Sequence, residues 1–272
     1  MGAFEHLLRR GIAEQVSDFY LTELQSAQMR KDGALISCGD TIPTHDSMKT
    51  FLKSMIDADQ WTALERDCDV DFSWMFEGRR LRGNAYFQMG RLAVALRLLP
   101  DAIPPLASIQ HNTAIFDLLK RERGLILVCG CVGSGKTTTI AALLEEINQT
   151  RAAHIVTLED PMEYIFAPKR SFISQRALGR DFLSFPAGVR SALREDPDIL
   201  LIGEIRDRET MEAALSAAAT GVLVLGTLHT RSAAQTALRV ESMFPADVRD
   251  AVRAAFADTV TGIFAQQLLP CV

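Results

Sequence analysis

Residues 130–139 read GCVGSGKTTT, and the fold of the second half of the chain follows from this stretch. It fits the pattern G-x-x-x-x-G-K-[ST] and lies between an apolar run, GLILVCG, and a segment with helical spacing of apolar residues. The glycines would let the backbone N–H groups point inward, where the positive end of the next helix adds to their field. The sequence therefore predicts a loop that binds the phosphates of a nucleotide, with the candidate residues Gly130, Gly133, Ser134, Gly135, Lys136, Thr137 and Thr138.

Apolar strands and amphipathic helices alternate on the carboxyl side of this loop. The pattern predicts strands over residues 124–130, 154–160, 198–204 and 222–229, and helices over residues 137–148, 187–194 and 209–220. Strands this apolar, each followed by a helix, are typical of a parallel sheet that is covered on both faces. The second half is thus predicted to be an α/β nucleotide-binding core.

The first half of the chain has a different pattern. Helices are predicted over residues 4–16, 48–56 and 61–68, a hairpin turn over 31–33, and strands from residue 70 to the end of this half. Three prolines in LLPDAIPPLASIQ, residues 98–110, indicate a connection between two domains. We therefore predict an α+β domain over residues 1–99, a linker over 100–112 and the nucleotide-binding domain over 113–272.

The composition narrows the classes of function. The formal net charge of -5 and the pI near 5.6 disfavour a protein that acts mainly on nucleic acid. The sequence has no apolar run of the roughly 20 residues that span a bilayer and no signal-peptide pattern, which favours a cytoplasmic protein. The five cysteines form no C-x-x-C pair, so we expect buried apolar residues and neither a disulfide framework nor a zinc ribbon.

Acidic residues follow two of the predicted strands, where the carboxyl edge of the sheet would face the phosphates. DILLIGE ends at Glu204, which we expect to polarise the attacking water; Gly203 stands where many such proteins carry a metal-binding aspartate. TLEDPMEY, residues 157–164, supplies Glu159, Asp160 and Glu163, the last as a further catalytic candidate. For Mg²⁺ the predicted ligands are Thr137, Glu159, Asp160 and Glu204.

One histidine and several arginines are further candidates for residues that act at the phosphates. His229, in GTLHT at the end of another apolar strand, is predicted to sense the terminal phosphate. The pattern leaves open whether any of four arginines stabilises charge or is a surface residue: Arg190, Arg194, Arg206 and Arg208.

Taken together, these motifs resemble the PilT-like branch of the type II/type IV secretion ATPases, which are hexameric motors of type IV pili. The resemblance rests on GCVGSGKTTT, on TLEDPMEY as the Asp box, on SALREDPDILLIGEIRD as the Walker B segment and on GTLHT as the His box. More loosely, SDFYLT, DFSWMFEGRRLRGNAYFQ and VALRLLP are similar to the family's N-terminal PAS-like domain.

This resemblance implies a RecA-like P-loop NTPase core, and a homo-hexamer that hydrolyses ATP with Mg²⁺ in the cytoplasm, at the inner face of the bacterial inner membrane. It also implies a platform protein in that membrane as partner, and association with the membrane only through such a partner. No nucleic-acid partner is expected. Arg82 and Arg97 fall on the strands that carry phosphate-reaching arginines in such ATPases; Arg79, Arg80 and Arg91 compete for that assignment. The absence of a four-cysteine insertion favours pilus retraction.

Three departures and three alternatives accompany the resemblance. Ala177 replaces a usual glutamate, SDFYLT departs from the typical SDLHLS, and the family continues beyond LLPCV, so we expect a shortened or atypical chain. The nearest alternative is an ATPase of a type II, type IV or conjugative secretion system. A nucleotide-binding module without turnover and a RecA-like protein acting on nucleic acid are the others.

Overall fold

The computed structural model describes residues 2–39, 42–109 and 114–268, and the chain divides into two compact units, Met1–Asp101 and Ala102–Val272. The division falls inside the predicted linker. Within that linker, Leu106 begins a short 3-10 turn, Leu106–Ser108, and packs into the core of the second unit with Ile103 and Ile109. Residues 110–112 of the linker lie outside the described residues.

The first unit is an α+β domain, as predicted. The elements of this unit, in chain order, are α1 (Gly2–Ala13), β1 (Asp18–Thr22), β2 (Gln28–Lys31), β3 (Ala34–Ser37), α2 (His45–Lys53), α3 (Ala58–Asp67), β4 (Asp69–Phe76), β5 (Arg79–Gln88) and β6 (Arg91–Leu98). Its strands form an antiparallel sheet in the order β3-β2-β1-β6-β5-β4. The PAS-like assignment stays a prediction.

Local sequence explains where these elements begin and end. Thr44 and Asp57 cap α2 and α3, each accepting a hydrogen bond from the backbone three residues on. Asp32 and Gly33 both have positive φ, as a two-residue hairpin requires. Helix α1 ends at Ala13, three residues before the predicted boundary, and Gln15 beyond it adopts a left-handed conformation.

The elements of the second unit are α4 (Ala114–Leu118), β7 (Gly124–Cys129), α5 (Lys136–Thr150), β8 (His154–Glu159), β9 (Phe172–Ala177), α6 (Phe185–Ala192), β10 (Ile199–Ile202), α7 (Arg208–Ala219), β11 (Leu223–Leu228), α8 (Ala233–Ser242), α9 (Arg249–Thr259) and β12 (Val260–Ala265). Its strands form a parallel sheet in the order β12-β7-β11-β10-β8-β9. The predicted strands and helices of this half are confirmed.

Both faces of this sheet are covered, as its apolar strands predict. Along β7, Leu125, Leu127 and Cys129 pack into one apolar cluster, whereas Ile126 and Val128 pack into another. Alternate side chains of a strand point to opposite faces, so the two clusters are the two faces of the sheet. The arrangement is the RecA-like α/β core that was predicted.

The two edge strands of this sheet, β9 and β12, are not predicted from the sequence. Strand β9 reads FISQRA and β12 reads VTGIFA, and all but the first residue of β9 and the last of β12 are half-buried. An edge strand pairs on one side only, so its sequence lacks the continuous apolar run of the central strands. Helices α8 and α9, which lead to β12, were not predicted either.

The cysteines are only partly buried. Cys38 and Cys129 are buried, but Cys68 and Cys131 are exposed, so the prediction that the cysteines are buried apolar residues is wrong for these two. Cys271 lies outside the described residues. Within the described ranges, no helix has both the length and the apolar character needed to cross a bilayer.

Candidate nucleotide-binding site

The carboxyl ends of four neighbouring strands meet at one edge of the parallel sheet. The glycine-rich loop follows β7, and the acidic or imidazole candidates end or follow β8, β10 and β11. They enclose a cleft of about 230 Å³ lined by Val132, Gly133, Lys136, Thr137, Ile140, Glu159, Asp160, Pro161, Glu163, Leu201, Gly203, Glu204, Thr227 and His229. A crevice at this edge is where open α/β sheets bind their ligands.

The loop has the backbone geometry of a phosphate-binding turn. Gly130, Gly133 and Gly135 have φ of 155°, 78° and 85°, and α5 begins directly after them at Lys136. Ser134 Oγ is one of the few buried side-chain polar atoms in the described chain with no hydrogen-bond partner. A buried hydroxyl in this position fits a ligand that carries hydrogen-bond acceptors, such as a phosphate.

Lys136 is buried, and its amine is turned into the loop. Nζ donates hydrogen bonds to the carbonyl oxygens of Gly130 at 2.8 Å and Cys131 at 3.0 Å. Burial lowers the pKa of Lys136, and the negative charge of Glu204 acts in the opposite direction. A desolvated cation held at the loop is a strong point charge for a polyphosphate chain.

Glu204 lies at the centre of a charged group. Its Oε1 contacts Arg206 Nε at 2.5 Å and His229 Nε2 at 2.8 Å. Burial raises the pKa of Glu204, but the hydrogen bond and charge of Arg206, together with His229, outweigh burial and hold the pKa below its usual value. The carboxylate is therefore charged at neutral pH while only 16 % of the side chain is exposed. Glu204 and His229, two of the predicted catalytic residues, are thus in direct contact.

Glu159 is buried at the end of β8 and accepts a hydrogen bond from Thr157 Oγ1 at 2.7 Å. Asp160 is exposed and Glu163 half-buried, and both line the cleft. Among the described residues, no group of three or more His, Cys, Asp and Glu side chains is arranged to hold a metal ion. The predicted set of Thr137, Glu159, Asp160 and Glu204 therefore forms no closed cage, yet all its donors are oxygens, which Mg²⁺ prefers and supplements with water and phosphate.

Gly203 has a steric reason for lacking a side chain. A Cβ at this position would lie 3.0 Å from the carbonyl oxygen of Leu158 and 3.2 Å from the Cα of Glu159. Ordinary Cβ contacts are longer, so any side chain here would require the neighbouring backbone of β8 to shift by a few tenths of an ångström. The acidic groups of this site come from neighbouring positions instead.

The residues at the start of α5 and the loop itself border two clefts of the second unit. Thr138 Oγ1 lies 3.1 Å from the hydroxyl of Tyr164, and Thr137 lines the cleft. A second cleft of about 430 Å³ shares Val132 and Gly133 with the first, and its lining also includes Gly130, Cys131, Ser134, Arg231, Gln266, Gln267 and Leu268. The loop therefore borders two clefts, one lined by the acidic residues and the other by Gln266 and Gln267.

Arg82 and Arg97 belong to the first unit. They face each other directly across β5 and β6. Arg97 Nε donates to Asp18 Oδ1 at 2.8 Å, and Arg82 lies 3.5 Å from Asp71. Of their competitors, Arg79 pairs with Asp101. The role of Arg82 and Arg97 at a phosphate stays a prediction.

The sequence does not single out two residues of the site. Arg206 is one of four arginines between which the sequence does not choose, although its position two residues after Glu204 in EIRD is a signal for it. Gln266, which contacts the loop from just after the end of β12, has no local signal because it is distant in sequence.

A parallel sheet with a glycine-rich loop, a buried loop lysine and a charged strand-end glutamate defines the class of P-loop nucleotide-binding proteins. Residues 94–272 match the family described as Type II/IV secretion system protein. The chain belongs to this family.

Named relatives agree with this assignment. The chain is 38% identical over 253 residues to the twitching motility protein of Neisseria gonorrhoeae, covering 88% of this chain and 67% of the relative. It is 36% identical over 264 residues to the type IV pilus retraction ATPase PilT of Pseudomonas aeruginosa strain PAO1, covering 97% and 77%. A crystal structure of the pilus retraction motor PilT with bound ADP matches with a TM-score of 0.94 and 40% identity, covering 98% of this chain and 78% of that one.

Proposed function

We propose that this chain is a motor ATPase that couples hydrolysis of ATP, with Mg²⁺, to retraction of a type IV pilus. The observation that carries the ATPase part is the cleft at the sheet edge, where the loop lysine and the Glu204–His229 pair line the same space. A binding loop alone would hold a nucleotide. A charged carboxylate opposite the loop also supplies a group that can orient a water molecule for attack.

The residues of the cleft have separate roles in the proposed hydrolysis of ATP. The loop N–H groups and Lys136 bind the phosphates and neutralise their charge. Glu204 accepts a hydrogen bond from the attacking water and orients it. His229, which contacts the same carboxylate, holds Glu204 in position and changes its contact when the terminal phosphate is lost. Glu163 is a second candidate for the water-orienting role.

Mg²⁺ would be held by Thr137 and by one or more of Glu159, Asp160 and Glu204. When bound with the nucleotide, the ion neutralises charge on the phosphate oxygens.

The mechanical part of the proposal is supported by the relatives whose names describe retraction or twitching. It places six copies of the chain as a ring at the cytoplasmic face of the inner membrane, against a platform protein of the pilus machine, with no nucleic acid involved. Arg82 and Arg97 are proposed to reach phosphates when the ring assembles, which would couple hydrolysis to movement.

A secretion ATPase is the second candidate function, because the matching family is described by both type II and type IV secretion. The two candidates differ in the cellular process that stops when the protein is inactive. Expression in a strain that lacks its retraction motor distinguishes them: restored twitching supports retraction, whereas restored export in a strain lacking a secretion ATPase supports the alternative.

Replacing the loop lysine tests the ATPase proposal directly. We expect Lys136→Ala to weaken ATP binding by at least about a hundredfold, because the phosphates lose a charge-assisted hydrogen bond and the nearest point charge. Lys120→Ala is the matched control, since Lys120 is exposed and pairs with Asp117. Nucleotide titration by calorimetry measures both. Equal affinity in the two variants would contradict phosphate binding by this loop.

A further inference from the structure

Gln266, the residue that follows β12, contacts the chain at the glycine-rich loop. Its backbone N–H donates to the carbonyl oxygen of Cys129 at 2.8 Å, where β7 enters the loop. Its side-chain Oε1 accepts a hydrogen bond from Thr139 Oγ1, also at 2.8 Å, in the first turn of α5. Gln266 therefore contacts the chain on both sides of the loop.

Gln266 also lies against two of the loop glycines. A Cβ at Gly130 would sit 2.4 Å from the backbone oxygen of Gln266, and a Cβ at Gly135 would sit 2.9 Å from Gln266 Nε2. Both distances are too short for a real side chain. Part of the reason for glycine at these positions is thus room for Gln266, in addition to their positive φ.

Lys136 and Thr137 lie between Gly135, which the Gln266 side chain approaches closely, and Thr139, which donates a hydrogen bond to it. The hydrogen bond at Thr139 restrains the direction in which the first turn of α5 presents these side chains and its N–H groups. A loop that is already ordered loses less conformational freedom when a ligand binds, and this raises affinity.

We propose that Gln266 is a positioning residue, whose side chain holds the loop in its phosphate-binding form through Thr139. This inference rests on the proposed nucleotide-binding function and deepens it, because it makes the β12 end of the fold part of the nucleotide site. The backbone bond to Cys129 is formed by any residue at position 266, so only the side-chain contact is at issue.

The test compares substitutions that remove the contact with one that keeps it. Gln266→Met keeps length and loses the acceptor, Thr139→Val keeps shape and loses the hydroxyl, and Thr139→Ser keeps the hydroxyl. Gln149→Met is the matched control, since Gln149 is exposed near the other end of α5. The probe is ADP, titrated against each variant, and thermal unfolding without nucleotide reports stability.

We expect Gln266→Met and Thr139→Val each to raise the Kd for ADP about five- to tenfold, the effect of one hydrogen bond. The double variant should be no weaker than either single one, because both remove the same bond. Thr139→Ser and Gln149→Met should bind as the unaltered chain does. In turnover, KM for ATP should rise while kcat changes little.

Two results would overturn the proposal: an unchanged Kd in a folded Gln266→Met variant, or single effects that multiply in the double variant. If Gln266→Met does not fold, the comparison of Thr139→Val with Thr139→Ser decides, and equal affinity of those two would overturn it. Failure of the proposed function itself is distinct, since the unaltered chain would then not bind ADP.

Discussion

Glu204 is the residue on which the proposed chemistry depends most. Its carboxylate is charged because Arg206 and His229 both contact Oε1 and outweigh the effect of burial. A carboxylate that is largely desolvated yet charged interacts strongly with water and phosphate in the cleft. The proposed function therefore assigns two separate roles, phosphate binding to Lys136 and orientation of the attacking water to Glu204.

Glu204→Gln should therefore separate binding from turnover. The amide keeps the shape of the side chain but is a poor proton acceptor, so we expect ATP affinity within about threefold of the unaltered chain and turnover reduced by about a hundredfold or more. Steady-state phosphate release and nucleotide titration measure the two quantities. Unaltered turnover would move the water-orienting role to Glu163 or Glu159.

The neighbours of Glu204 predict a pH dependence. A carboxylate with a depressed pKa keeps its negative charge until the pH falls to that lowered pKa. Among the groups that lower the pKa of Glu204, Arg206 has the largest effect. Arg206→Gln leaves burial opposed mainly by His229, so the pKa of Glu204 should rise and the acid limb of kcat/KM should move to higher pH.

The control for this shift is Arg208→Gln, because Arg208 is also exposed but its ion-pair partner is Glu212. The pH profile of kcat/KM, measured from about pH 5 to 8 on both variants, decides. An acid limb that is the same in both would show that Arg206 does not set the charge of Glu204.

At the scale of elements, the central strands of the second unit and the loop between β7 and α5 could be predicted, because continuous apolar runs and a fixed glycine spacing are local signals. The contacts that complete the site could not. Gln266 reaches Thr139 across 127 positions of sequence, and β12 and β9 carry the mixed burial of edge strands. Pairing between distant segments leaves little trace in the spacing of either.

The packing of the first unit gives a test at the same scale. A Cβ at Gly83, on β5, would lie 2.1 Å from the ring of Phe72 on β4. We expect Gly83→Ala to lower the free energy of unfolding by about 1–3 kcal/mol, because the ring must move within a packed core. Urea unfolding measures the change.

Gly2→Ala serves as the control for the same substitution, because a Cβ at Gly2 meets no atom within 4 Å. It should leave the unfolding midpoint of the chain almost unchanged. A Gly83→Ala variant with the midpoint of the control would show that the Phe72 ring has room to shift and that this contact does not limit the core.

At the scale of the whole molecule, the two units have different parts in the proposed motor. The second unit contains both clefts and the loop, whereas Arg82 and Arg97 lie in the first unit, where acidic residues pair with them. An arginine that must leave a carboxylate to reach a phosphate makes hydrolysis depend on a rearrangement. The family assignment predicts that neighbouring copies of the chain complete the nucleotide sites.

The most direct measurement is therefore Mg²⁺-dependent ATP turnover per subunit, followed as the protein concentration rises. If copies of the chain complete each other's sites, turnover per subunit climbs with concentration and reaches a plateau when assembly is complete. Nucleotide that binds at every concentration without being hydrolysed at any would contradict the account, and would describe a binding module instead of a motor.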